Sequence, residues 1–119
     1  MKHTEQILVD GKPLDSVDAL DRGLHYGDGV FRTIKVESGV LLWWQEQYQK
    51  LAADCAALRL NCPESRTLFE EAQQLAAMPG IGVVKIIVTR GAGQRGYRMP
   101  DTDAARRVVF GFLVAVACT

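Results

Sequence analysis

The chain has 119 residues, 48% of them apolar and 24% charged, which is enough for one domain with a real core and too few for two. Fourteen basic residues balance fourteen acidic ones, so the electrostatic footprint required by a nucleic-acid backbone or an anionic membrane surface is excluded. Cys55, Cys62 and Cys118 are odd in number and have no C-x-x-C spacing, which argues against a disulfide framework or a zinc site and for reduced thiols in a cytoplasm.

Ile7-Leu8-Val9 followed by Asp10-Gly11-Lys12-Pro13 reads as a short strand entering an Asp-Gly turn, with residues 14–19 returning as its hairpin partner at a sheet edge. Next comes Asp21-Arg22-Gly23-Leu24-His25-Tyr26-Gly27-Asp28-Gly29-Val30-Phe31, a loop whose glycines permit positive φ and leave backbone amides open. It crowds acid, base and aromatic groups together, which is costly unless they pair with one another or meet a ligand. Two readings stand: a ligand-holding loop, or a corner in which Asp21 caps a turn and Arg22 pairs with a carboxylate.

Residues 31–36 alternate between faces, and Glu37-Ser38-Gly39 turns them into Val40-Leu41-Leu42-Trp43, a second hairpin. From Trp44 the apolar period lengthens: Trp44, Tyr48, Leu51, Cys55 and Leu58 form one stripe of an amphipathic helix of about four turns. A second, shorter helix is predicted from near Glu64 until Pro79-Gly80 stops it. Residues 83–89 are β-branched almost throughout, which predicts a central strand covered on both faces. The segment from Arg90 to Arg98 interrupts with glycines and arginines before a last strand over residues 107–117. That strand is strongly apolar and has no polar tail after Cys118-Thr119, so something is expected to be missing beyond it. No run approaches the roughly 20 apolar residues of a membrane span, and the first five residues are no signal sequence. Strands, two helices, then strands give an α+β two-layer sandwich, a largely antiparallel sheet with two helices on one face.

Two segments, Asp21-Arg22-Gly23-x-x-Tyr26-Gly27-Asp28-Gly29-x-Phe31 and Thr89-Arg90-Gly91-x-Gly93-x-Arg95-Gly96-Tyr97, together resemble the class IV (fold type IV) pyridoxal-phosphate enzymes. That family includes branched-chain and D-amino-acid aminotransferases and aminodeoxychorismate lyase, and the match is closest to the lyases. The resemblance covers nearly all of this chain but only the family's N-terminal small domain. It implies pyridoxal 5'-phosphate in the complete enzyme, a small amino substrate, a homodimer, and a cytoplasmic step of folate biosynthesis releasing 4-aminobenzoate and pyruvate. It also implies that this chain alone is inactive and holds no cofactor covalently, because the family's catalytic lysine belongs to the second domain. Lys85, inside a predicted strand, is read as a strand lysine with its stem on the sheet and its ammonium in water.

By the same resemblance, Lys50 in Gln47-Tyr48-Gln49-Lys50-Leu51 takes the place of the family's phosphate-binding arginine, and Gln47 that of a histidine. Lysine meets a phosphate as a point charge without the bidentate fork. Alternatively, Glu46, Lys50 and Asp54 form an i, i+4 ladder on a solvated helix face. Phe31 and Thr33 correspond to substrate-facing positions on one strand face, and Arg32 faces away. Arg95 and Tyr97 align with residues that reach across the dimer to the substrate carboxylate, whereas Arg90 reads as a structural partner. No metal site is expected. Two rivals remain: an aminotransferase of the same family, and a non-catalytic anion-binding or assembly module built on residues 90–98.

Overall fold

A computed structural model describes residues 6–92 and 105–114. Five strands form, β1 (Ile7–Val9), β2 (Gly29–Glu37), β3 (Val40–Leu41), β4 (Ile81–Thr89) and β5 (Arg106–Leu113). They make one antiparallel sheet in the order β1-β5-β4-β2-β3, with β4 in the middle as its β-branched composition predicts. Helices α2 (Trp44–Ala57) and α3 (Ser65–Ala76) sit close to their predicted positions. A single-turn helix, α1 (Arg22–Tyr26), was not expected.

Alternation along the strands builds the two layers. Ile34, Val84, Ile86, Val88 and Val109 point to one side and share a core with Leu51 and Cys55 of α2 and Leu68, Ala72 and Leu75 of α3. The architecture is therefore the expected α+β sandwich. The intervening residues, among them Phe31, Thr33, Lys85, Ile87, Phe110 and Phe112, line the opposite face and remain half-buried or exposed. Coverage of β4 on both faces is thus corrected, since Val83, Lys85 and Ile87 are only half-buried. Its run reads as continuous because the open face is itself apolar.

The first hairpin is also corrected. Asp10 and Gly11, both at positive φ, do turn the chain so that Val9 and Lys12 exchange two backbone hydrogen bonds. Pro13 then offers no N–H to extend a ladder, residues 14–19 form no strand, and β1 pairs with β5 instead. The second hairpin forms as expected, closed by Ser38 and Gly39 at positive φ between β2 and β3. Leu58 leaves the stripe of α2, being exposed beyond its last turn. No described helix is long and apolar enough to cross a membrane.

Candidate functional site

The first glycine-rich motif and the described start of the second, residues 89–92, far apart in sequence, fold into one knot. Asp21 accepts from the Gly23 amide at 2.7 Å and so caps α1, whose other end closes on Gly27 in the left-handed region. The second oxygen of that carboxylate accepts from the Thr89 hydroxyl at 3.0 Å and from the Arg106 guanidinium at 3.3 Å. The Thr89 hydroxyl accepts in turn from the Gly91 amide at 3.0 Å. Backbone bonds from Arg22 to Gly91 and from Arg90 to Asp28 join the segments directly.

Asp28 is the second anchor. Its carboxylate accepts from Arg22 Nε at 3.0 Å and from Arg90 Nε at 2.7 Å and Nη2 at 3.2 Å. Burial alone would raise its pKa, but hydrogen bonds and charge from Arg90 and Arg22 outweigh that, and the net effect holds the group below its ordinary value. Arg90 also donates to the Leu58 and Arg59 carbonyls, fastening the end of α2 to the knot. Arg22 lies over the Tyr26 ring at 4.6 Å, with its Nη1 buried and unbonded. The corner reading of this loop is thus the one the structure bears out, and Arg90 is the structural partner expected. What the knot does for a site is directional: it fixes where β4 ends and where the glycine- and arginine-bearing segment departs. Beside that departure lies a 390 Å³ cleft lined by Asp10, Arg90, Gly91, Ala92 and Arg106.

Phe31 and Thr33 fall on the open face of β2, as the period of two requires. Phe31 is 58% exposed, well placed to touch something outside this chain. Lys85, opposite Thr33 in the register and half-buried, holds its ammonium over the Phe31 ring, 4.6 Å from its centre. The register supplies this neighbour; residue type alone does not. Arg32 points to the helix side, as expected, where its Nε donates to Gln47 Oε1 at 2.9 Å. Lys50, one turn along α2, is exposed, and among the described residues it makes no ion pair, so the Glu46–Lys50–Asp54 ladder does not form. Phe31, Thr33 and Lys85 are brought together, whereas Lys50 lies on the helix layer, apart from them. Arg95 and Tyr97 lie outside the described residues, as does Cys118. Among the described residues no three His, Cys, Asp or Glu side chains gather as metal ligands.

No family model matches the sequence. Among curated proteins, an aminodeoxychorismate lyase of Vibrio harveyi is 36% identical over 89 residues, which are 75% of this chain and 33% of that protein. A D-alanine aminotransferase of Listeria monocytogenes is 34% identical over 105 residues, 78% of this chain and 36% of that one. The crystal structure of 4-amino-4-deoxychorismate lyase from Pseudomonas aeruginosa matches with a TM-score of 0.81 and 36% identity, over 90% of this chain and 39% of that chain. The branched-chain amino acid aminotransferase of Escherichia coli matches with a TM-score of 0.82 at 18% identity, over 95% and 42%, a likeness of fold alone. The chain spans about a third of the length of the curated relatives named here. Sequence likeness, fold and the paired motifs converge on the fold type IV, or class IV, pyridoxal-phosphate-dependent enzymes as the proteins this chain is similar to.

Proposed function

We propose that this chain is the N-terminal small domain of a homodimeric cytoplasmic lyase that converts 4-amino-4-deoxychorismate to 4-aminobenzoate and pyruvate for folate synthesis. One observation carries the reading: lyases of that name match at 36% identity both among curated proteins and among solved structures. Bound pyridoxal phosphate supplies the electron-accepting ring. By the family resemblance its phosphate would go to Lys50, an exposed residue that forms no ion pair among the described residues but lies on the helix layer, apart from Phe31 and Thr33. Phe31 and Thr33 orient the substrate from the open face, and Lys85 beside them offers a positive charge to a substrate carboxylate. Arg95 and Tyr97 hold a carboxylate from the partner subunit's side. No residue of this chain is given the proton-transfer role, which falls to a lysine of a second domain.

The D-alanine aminotransferase relative, at 34% identity, supports a second reading in which the same domain serves amino-group transfer. Of the rival anion-binding module over residues 90–98, Arg90 is already committed to Asp28 and two carbonyls, while Arg95 and Arg98 lie outside the described residues. The test is to express the complete gene product with pyridoxal phosphate and assay both reactions. Release of pyruvate and 4-aminobenzoate from aminodeoxychorismate is expected; transfer from D-alanine to a 2-oxo acid without that release would select the second reading, and neither activity would discard both.

A further inference from the structure

A pair of thiols lies on the helix layer, away from every group assigned above. Cys55, in the last turn of α2, is fully buried, and Cys62, five residues past the helix, is half-buried. The chain returns between them because the Leu60 amide donates to the Cys55 carbonyl at 2.7 Å. Tyr48, on the same stripe of α2 as Cys55, pins the returning strand: its hydroxyl donates to the Pro63 carbonyl at 2.7 Å and accepts from the Cys62 thiol at 3.7 Å. Trp44 stacks on Tyr48 and donates to Ser65 Oγ at 3.2 Å, closing the outer side.

We propose that Cys62 and Cys55 are a peroxide-reactive thiol pair, Cys62 attacking the oxidant and Cys55 closing the intramolecular disulfide. Access sets the order, since Cys62 alone of the two presents surface to a small molecule. Electrostatics agree: the Cys55 thiol stabilises charge on Cys62, whose pKa is lowered to about 7, while Cys55 is pushed up by that same contact and by burial. The charged and titratable groups around the pair are Tyr48, raised to about 12 by burial and by Cys62, Asp54 of α2, which acts on Cys55, and Glu64 of the loop, which acts on Tyr48.

The chemistry balances with hydrogen peroxide as oxidant. The Cys62 thiolate attacks one peroxide oxygen, the O–O bond breaks, and the departing hydroxide takes a proton to become water, leaving Cys62 as a sulfenic acid. Discharging Cys62 removes the thiolate that held the Cys55 proton. Cys55 sulfur then attacks Cys62 sulfur, the S–O bond breaks, and hydroxide leaves with the Cys55 proton as a second water. Two thiols lose two electrons in all, and one peroxide becomes two waters.

The experiment uses the whole chain with Cys118→Ser, so that the remaining thiol cannot take part. Limited hydrogen peroxide should remove both thiols together, lower the mass by two hydrogens, and give a proteolytic fragment joining Cys55 to Cys62. In Cys62→Ser, peroxide loss of the Cys55 thiol should be at least roughly tenfold slower. In Cys55→Ala, dimedone should trap Cys62 as its sulfenic acid. Sulfinic acid on Cys62 with no cross-link in the Cys118→Ser chain, cross-links only between chains, or an unchanged rate in Cys62→Ser would each overturn the proposal; the first of these needs no substitution in the core.

Discussion

Asp28 shows how one side chain can hold two segments distant in sequence together. Its carboxylate, 13% exposed, joins two guanidiniums from segments on either side of α2 and α3. Asp28→Asn keeps the shape but removes the charge, and a loss of roughly 1–3 kcal/mol is expected, because two partly buried cations lose their counter-ion. Its pH dependence has a definite sign. A carboxyl whose folded pKa lies below its unfolded value of 3.8 adds stability above that value and loses it as pH falls through the folded one. Urea midpoints for the native chain and Asp28→Asn should therefore differ most near neutrality and converge as pH falls below 3.8 and through the lowered folded value; a gap constant with pH would show that the charge is not what matters. Lys50 makes the converse case at an exposed position. In a complete enzyme, Lys50→Arg restores a planar fork and should tighten pyridoxal phosphate by roughly tenfold, read by cofactor titration, with little change in stability.

Elements were legible where period and composition agree, and illegible where a partner decides. The two long helices and β4 follow from spacing and β-branching, and the second hairpin from a Ser-Gly pair that accepts positive φ. By contrast α1 was hidden by its glycines, although Asp21 and Gly27 stand where an N-cap and a left-handed C-cap belong. The pairing of β1 with β5 could not be read locally, since sequence separation says nothing of which edge is free. Of the site, the face shared by Phe31 and Thr33 followed from the strand period, whereas Lys85 over Phe31 needed the β2–β4 register. That register has a sharp test at Gly29: a Cβ there would lie 2.7 Å from the Val88 carbonyl oxygen, which belongs to the neighbouring backbone and cannot rotate away. Gly29→Ala should cost about 1–3 kcal/mol by denaturant unfolding, with Phe31 displaced on the open face. Leu68→Ala, a fully buried position on α3, should cost roughly 2–5 kcal/mol while leaving that face alone.

At the scale of the whole molecule, the two faces of the sheet differ among the described residues. Helices cover one side of the sheet, while Phe31, Ile87, Phe110 and Phe112 line the other, with Phe110 and Phe112 stacked 5.8 Å apart. Trp43, 66% exposed at the start of α2, adds a second apolar feature at the rim. The last strand is interior to the sheet: β5 lies between β4 and β1, and β1 pairs with it from Val108 to Phe110. Association through the open face would bury the apolar side chains it presents. Contiguous apolar surface beyond a few hundred Å² is rarely left bare on a stable monomer, so the isolated 119-residue chain should sediment at micromolar concentration as a dimer or larger species. Phe112→Lys, placing a charge on an exposed position of the open face, should shift it toward monomer by roughly tenfold or more in dissociation constant without lowering the unfolding midpoint. An unchanged sedimentation profile in that variant would move the contact elsewhere on the surface, and Trp43→Ser would then distinguish the rim from the face.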